Sequence, residues 1–280
     1  MKLINIFKSF KRKTIILTLI LSIVCIYLIT GFINTLTLTE YDFTSSKVPA
    51  GFDGFRIVQI SDFHCKDFGY QEADLINMVK SAQPDIIVLT GDSIDDEHSI
   101  DNYAYLLEGI HDMAPIYYIT GNHEFDTAAP LEASLELHER YGVIDLNGTS
   151  VTLTRDNDSI VLSGLGFCGS MFKIQRSLDY ADTSLFNILL YHCTDQFDAI
   201  APYNYDLVLS GHTHGGLVCL PFIGGIITNQ KELFPKYDSG AFTLGQSTMI
   251  SSRGLGDASV PRFHNPREVV CVTLHSATPK

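Results

Sequence analysis

From Thr14 to Asn34 the chain runs for 21 residues, TIILTLILSIVCIYLITGFIN, without a charge. No other feature restricts its folding as strongly. As a helix the run is about 31 Å long, enough to cross the hydrocarbon core of a bilayer. Lys2, Lys8, Lys11, Arg12 and Lys13 precede it, and the first acid of the chain is Glu40. This asymmetry predicts a single-pass protein of the cell membrane, with its N-terminus inside and its body outside. A cleaved signal peptide is the alternative. Its apolar part would be about 7–15 residues long and end in small residues, whereas the first alanine here is Ala50. A lipoprotein signal ending at Cys25 would place the bulky Val24 where a small residue is expected. Residues 1–13 therefore read as a basic cytoplasmic segment and 14–34 as a transmembrane anchor. Residues 35–54, punctuated by Ser45, Ser46, Pro49, Gly51 and Gly54, read as a linker with a first strand, and 55–280 as the folded domain.

Charge and cysteine usage narrow the function. The 280 residues carry 19 Lys and Arg against 32 Asp and Glu, for a net charge of -13. With the basic N-terminus set aside the body is more acidic still, a poor non-specific binder of nucleic acid. Such a surface can still enclose a site for anions where metal ions reverse the local field. Cys25, Cys65, Cys168, Cys193, Cys219 and Cys271 form no CxxC pair. Five of them fall in the body without framework spacing, which points to buried free thiols rather than a disulfide staple.

Past Arg56 short apolar runs alternate with helical patterns. RIVQI (56–60), IIVLT (86–90) and IYYIT (116–120) are rich in β-branched residues and predict strands. Between them Leu75, Ile76, Val79 and Ala82, then Ile100, Tyr103, Leu106, Leu107 and Ile110, recur at helical spacing. Pro130 is expected to open a third helix with Leu131, Leu135 and Leu137. The second half is more β-rich. SVTLT (150–154), SIVLSGL (159–165), FNILLYH (186–192) and YDLVLSGH (205–212) come first. AFTL (241–244), STMISS (247–252) and EVVCVTLH (268–275) follow and read as an antiparallel sheet. The class is α/β, with two sheets and helices outside them.

Five of these strands end in one kind of chemistry. Ser61-Asp62-Phe63-His64, Gly91-Asp92, Gly121-Asn122-His123-Glu124, His192 and Gly211-His212-Thr213-His214-Gly215-Gly216 each follow an apolar run directly. Ligands of open α/β sheets bind at the carboxyl ends of strands. Carboxylates, an amide and imidazoles gathered there form a ligand inventory suited to manganese, iron or zinc. Asp62, His64, Asp92, Asn122, His192, His212 and His214 are too many for one tetrahedral ion, and a shared carboxylate could bridge two ions about 3.5–4 Å apart. Taken singly, each motif is also explained by a helix cap, a turn or a core histidine. The ordered set is not.

The order D-x-H, G-D, G-N-H-E, H and G-H-T-H resembles the calcineurin-like metallophosphoesterase superfamily, over about Phe52 to Leu274. The ISD-x-H opening, GHTHGG with its Leu-Pro-Phe stretch, and SRGLG are similar to the membrane-associated bacterial branch. The resemblance implies a four-layer α-β-β-α sandwich behind the transmembrane helix. It implies one divalent ion on Asp62, His64, Asp92 and His214, and a second on Asp92, Asn122, His192 and His212. His123 would stabilise or protonate the leaving oxygen as the catalytic residue, and a bridging water acidified toward pKa about 7 would supply the nucleophile. The implied protein is a membrane-anchored phosphoesterase cleaving phosphodiesters, phosphomonoesters or pyrophosphates, with lipid-linked or cell-envelope phosphates as its partners. A non-catalytic metal-dependent binding module of the same fold is the competing reading.

Other positions stay open. Arg253 and Arg262 suit a phosphate oxygen, with a structural salt bridge as the competing role. Asp67 and Asp95 could orient ligand histidines. Cys65 and Cys193 each follow a ligand directly. Phe222-Ile223-Gly224-Gly225 reads either as core or turn, or as an apolar wall or lipid contact. Loops 165–185 and 221–240 are expected to shape specificity.

Overall fold

The computed structural model describes residues 2–95, 97–126, 128–257 and 261–277. A 30-residue helix, α1 (Lys2–Gly31), comes first. Its Lys11–Gly31 stretch is long and apolar enough to cross a membrane and stands almost wholly clear of the body. The body then runs β1 (Leu36–Ser45), β2 (Arg56–Ile60), α2 (Ala73–Ser81), β3 (Ile86–Thr90), α3 (Ile100–Ile110), β4 (Ile116–Ile119), α4 (His123–Asp126), α5 (Ala128–Tyr141) and β5 (Ile144–Asp145). Next come β6 (Thr149–Arg155), β7 (Asp158–Leu165), α6 (Met171–Ser177), β8 (Asn187–Cys193), α7 (Phe197–Ile200), β9 (Leu207–Gly211), β10 (Val218–Leu220), β11 (Gly224–Ile227), β12 (Gly240–Leu244), β13 (Ser247–Ser251) and β14 (Arg267–Ser276).

Two six-stranded sheets face each other, ordered β1-β14-β2-β3-β4-β5 and β12-β13-β9-β8-β7-β6, and a small hairpin β10-β11 lies apart. The alternation of side chains along each strand builds the layers. Ile57, Val88, Ile119, Ile188, Leu190, Leu207 and Leu209 point between the sheets. Their neighbours Val58, Ile60, Ile87 and Leu89 point outward, onto Leu75, Val79, Leu106 and Ile110 of α2 and α3. On the opposite side Leu189, Tyr191 and Val208 meet Ile174, Phe197 and Ile200 of α6 and α7. Near-continuous apolar runs such as IIVL in β3 follow from burial on both faces, and the four-layer α-β-β-α sandwich is the result.

The differences from expectation have physical causes. Residues 36–45, expected as linker with a first strand, are a ten-residue edge strand paired in parallel with β14 from Leu36↔Arg267 to Ser45↔Ser276. The three last strands are not one antiparallel sheet. β12 and β13 are antiparallel, β13 joins β9 in parallel, and β14 crosses to the other sheet, antiparallel to β2. The buried faces of β14, with Val269 to Val272 fully covered, need a central position that the far sheet does not offer. The third helix begins at Ala128, so Pro130 is its third residue; first-turn amides have no intrahelical acceptor, so proline is tolerated there. Cys65, Cys168, Cys193 and Cys271 are buried free thiols, Cys219 is partly buried, and Cys25 is exposed on α1.

α5 is locked onto α3 by a buried polar contact. Tyr103 Oη and His138 Nε2 share a hydrogen bond of 2.6 Å, with the Tyr118 ring 4.4 Å from the imidazole. Burial holds His138 down at about 4, whereas an unfolded histidine titrates near 6.5. The folded form therefore binds fewer protons between those values, and stability present above pH 6.5 is lost as pH falls toward 4. His138→Gln keeps an acceptor but cannot be protonated; it is expected to flatten that part of a melting-temperature profile against pH.

Candidate metal centre

The carboxyl ends of β2, β3, β4, β8 and β9 meet at one edge of the sandwich. Backbone bonds lock the first loops together: Asp62 N–H donates to the Gly91 carbonyl at 3.0 Å and His64 N–H to that of Asp92 at 3.0 Å. The chain turns sharply here, with Asp62, His64, Asp92, His212 and His214 all at positive φ, between 48° and 75°. Non-glycine residues take that region only at a cost of order 1–3 kcal/mol each, typically at functional sites. Gly91, at φ +92°, lies so close to its neighbours that a Cβ would sit 2.7 Å from His192 Nδ1. At Gly211 a Cβ would overlap both Ser61 Oγ and the Asp62 carboxylate.

Besides Cys193, Asp195 and His212, which also offer atoms within 4.8 Å of one another, two groups of potential ligand atoms result. In one, Asp62, His64 and His214 lie mutually within 4.8 Å, and in the other Asp92, His192 and His212 do. His64, Asp92 and His123 satisfy the same limit and join the two. Asp92 Oδ2 is 3.1 Å from His192 Nε2 and 3.8 Å from His64 Nε2, so this oxygen stands between the groups. Around His192 Nε2 lie also Asn122 Oδ1 at 3.3 Å and His212 Nδ1 at 3.0 Å. Asp62 Oδ1 is 3.4 Å from His214 Nε2. Donor atoms about 3 Å apart are the spacing of neighbours around an ion with bonds of about 2.1 Å. His64 Nε2 and Asp92 Oδ2 are buried with no hydrogen-bond partner among the described residues. Buried polar atoms are rarely left so; these orphans and the N/O donor set fit a divalent cation.

The second ring of contacts orients the donors. The His192 Nδ1–H donates to the Thr90 carbonyl at 2.8 Å, which leaves Nε2 as the donor atom facing Asp92. Asp95 lies 3.6 Å from His64 Nδ1 and 3.0 Å from His98 Nδ1, whereas Asp67 caps the Gly69 amide at 2.8 Å. His212 N–H donates to Asp62 Oδ1 at 2.9 Å, and Ser61 Oγ to Asp62 Oδ2 at 2.6 Å. Asn265 Nδ2 donates to the His214 carbonyl at 2.6 Å.

Sequence reasoning assigned no role to Glu124. Its buried carboxylate accepts the backbone N–H groups of Asp92 (3.0 Å), Ser93 (2.7 Å) and Gly121 (2.8 Å), clamping two ligand loops together. Its place in the G-N-H-E motif was the only signal. Gln230, which reaches the His212 ring, left no signal. Arg253 is engaged by Glu268 at 2.7 Å. Arg262 is fully buried, with Nε and Nη2 on the Gly256 carbonyl, Nη2 at 3.3 Å from His214 Nδ1, and Nη1 unpartnered among the described residues. Cys65 Sγ–H points at the Ser93 carbonyl, 3.7 Å away, and burial pushes its thiol up to about 12.

The electrostatics favour positive charge at this spot. Burial alone would lower His192, but the Asp92 charge and its contact outweigh this and raise it to about 10. Burial would raise Asp95, yet the nearby His64 ring and hydrogen bonds from His98 bring it down to about 2. His212 is held down at about 4 by burial and by the neighbouring His192, and His214 is lowered by burial and by Arg262. Two imidazoles are thus kept neutral, the state a cation requires of its ligands.

Geometry and comparison agree on the class. The calcineurin-like phosphoesterase family profile matches residues 55–216. The metallophosphoesterase YkuE of Bacillus subtilis is 32% identical over 246 residues, 85% of either chain. The UDP-2,3-diacylglucosamine pyrophosphatase LpxG of Chlamydia muridarum is 27% identical over 84% of this chain and 88% of its own. A transmembrane protein with metallophosphoesterase domain from Danio rerio is 25% identical over 95% of this chain and 63% of its own. The chain belongs to the calcineurin-like phosphoesterase family. It is a metal-dependent phosphoester hydrolase whose relatives include membrane proteins.

The crowding at Gly211 gives a direct test of the ligand geometry. Gly211→Ala is expected to displace Asp62, costing about 1–3 kcal/mol of stability as overpacking does. Thermal melting should show the loss, and elemental analysis should show less bound manganese than in the parent protein.

Proposed function

We propose that this protein is a membrane-anchored phosphoesterase with two divalent ions, acting on phosphate groups held at the membrane or in the cell envelope. The observation that carries the reading is Asp92 Oδ2, buried without a donor and standing between His64 and His192. Asp62, His64, Asp92 and His214 would hold one ion, and Asp92, Asn122, His192 and His212 the other. Divalent cations supply neutralisation of the phosphate charge and acidification of water. The protein's own groups do the rest. Thr90 and Asp95 orient the His192 and His64 rings, and Glu124 keeps the Asp92 and Gly121 loops in register. The half-buried His123, its backbone N–H on Asp92 Oδ1 at 2.9 Å and its ring 4.7 Å from that of His64, is the group that donates a proton to the departing oxygen. Asn122 adds a neutral ligand, which keeps the site positive enough to hold an anion. Of the two arginines, Arg262 keeps a nitrogen for a phosphate oxygen, whereas Arg253 is committed to Glu268.

The Lys11–Gly31 helix and the basic residues before it support a single-pass anchor with the body outside. The similarity to a diacylglucosamine pyrophosphatase supports a lipid-linked phosphate or pyrophosphate as substrate.

Full-length protein in detergent should lose hydrolysis of bis(p-nitrophenyl) phosphate on chelation and regain it with manganese. His123→Ala should lower kcat by about 10²–10⁴ with metal content unchanged. Stoichiometric metal binding with no turnover on any phosphoester would leave only a binding module. In intact cells from which the outer barriers have been removed, added protease should digest the body. Digestion only after lysis would overturn the outside placement.

A further inference from the structure

The metal centre and the anchor share one face of the domain. β1 leaves α1 at Leu36, which pairs with Arg267 at the start of β14. β14 runs antiparallel to β2, with Val270 opposite Gln59. The end of β2 that delivers Asp62 and His64 therefore lies beside the end of the sheet at which the chain leaves α1. The parallel strands β3, β4, β8 and β9 deliver their ligands at that same end. The β6-β7 turn at 156–157 lies at the opposite end, because β7 starts there and runs parallel to β8.

The end of α1 also docks onto the body. His264 N–H donates to the Gly31 carbonyl at 2.7 Å. The Phe263 ring sits 5.8 Å from that of Tyr27 and 5.0 Å from that of Phe32, so close to Gly31 that a Cβ there would overlap it. Phe263 in turn exchanges backbone hydrogen bonds with Leu217 and Cys219, both at 2.9 Å. A continuous path thus leads from the last turns of the apolar helix into the β10-β11 hairpin. The hairpin turn presents Phe222, fully exposed, and Ile223, 61% exposed. The next loop, tied back by Phe234 N–H to the Ile226 carbonyl at 2.9 Å, presents Leu233 and Phe234, 62% and 64% exposed. Between these apolar positions Gln230 reaches inward to His212.

We infer that segment 218–234 is a bilayer-facing element. Phe222, Ile223, Leu233 and Phe234 enter the interfacial layer beside the anchor, and the inner side of the segment borders the metal centre. An exposed cluster of large apolar side chains marks an interaction surface. The occupant is the bilayer because this surface is joined by direct contacts to the end of the helix that crosses it, where aromatic residues settle at headgroup level. The substrates this geometry serves are amphiphilic phosphoesters whose phosphate is cleaved while their apolar part stays in the membrane. The inference rests on α1 spanning the bilayer, as proposed above.

The chain contains no tryptophan, so single Trp variants report position without background. Full-length Phe222→Trp, Leu21→Trp and Asn157→Trp are reconstituted into phosphatidylcholine vesicles with and without brominated acyl chains. Quenching is expected for Leu21→Trp on α1 and for Phe222→Trp, and none for Asn157→Trp in the β6-β7 turn. If Leu21→Trp is quenched and Phe222→Trp is not, the inference fails and the anchor stands. A blue-shifted but unquenched Phe222→Trp would report a protein partner or a second copy, and would overturn it equally. If Leu21→Trp is unquenched, the anchor reading itself is lost. As a functional arm, Phe222→Asp should lower the ratio of kcat/KM on a vesicle-embedded lipid pyrophosphate to that on bis(p-nitrophenyl) phosphate by at least about threefold. An unchanged ratio would overturn the inference.

Discussion

A buried carboxylate at the strand ends, set among imidazole nitrogens, governs this structure. Isolating an ionised carboxylate from water costs several kcal/mol even after relaxation, and Asp92 Oδ2 is faced by ring nitrogens, His192 Nε2 at 3.1 Å and His64 Nε2 at 3.8 Å. Such an arrangement persists when positive charge occupies the space between the donors. Burial, with His192 and Arg262 as neighbours, keeps His212 and His214 neutral, whereas the raised His192 follows from the Asp92 charge. So does the role of Glu124, a second buried carboxylate kept beside Asp92 by three backbone amides.

The sandwich supplies the rigidity that this charge arrangement needs. Ligands on five strand ends are held by ladders whose residues are buried on both sides, so none can relax toward water without opening the core. The strain sits in the turns: Asp62, His64, Asp92, His212 and His214 occupy left-handed backbone, and Gly91 and Gly211 beside them leave no room for a methyl group. A carboxyl, an amide and several imidazoles can then be presented within a few ångströms of one another, which flexible loops alone would not achieve.

The strands and helices of the body were largely legible, because double burial writes itself as short β-branched runs and single-face burial as helical spacing. RIVQI, IIVLT and the helix from Ile100 to Ile110 coincide with β2, β3 and α3. Strand partnership was less so. Nothing local in EVVCVTLH distinguishes a strand that pairs with Ser247–Ser251 from one that crosses to sit between β1 and β2. The site showed the same division. Asp62, His64, Asp92, Asn122, His192, His212 and His214 stood out as candidates because polar donor residues directly follow apolar strands. Glu124, Thr90 and Gln230 act through hydrogen bonds that join loops far apart in the chain, and pairwise spacing carries no trace of those.

Taken alone, the amino-acid order determined an uncharged span of bilayer length, an alternating α/β body, and a set of donor residues whose chemistry admits a divalent metal and a phosphate. These are properties of composition and period, which are local. Tertiary structure alone decided that Glu124 braces the Asp92 and Gly121 loops, and that the cluster of donor atoms lies at the end of the sheet from which the N-terminal helix emerges. Those depend on strand direction and sheet order, which are set by how whole layers bury against each other and by no single segment.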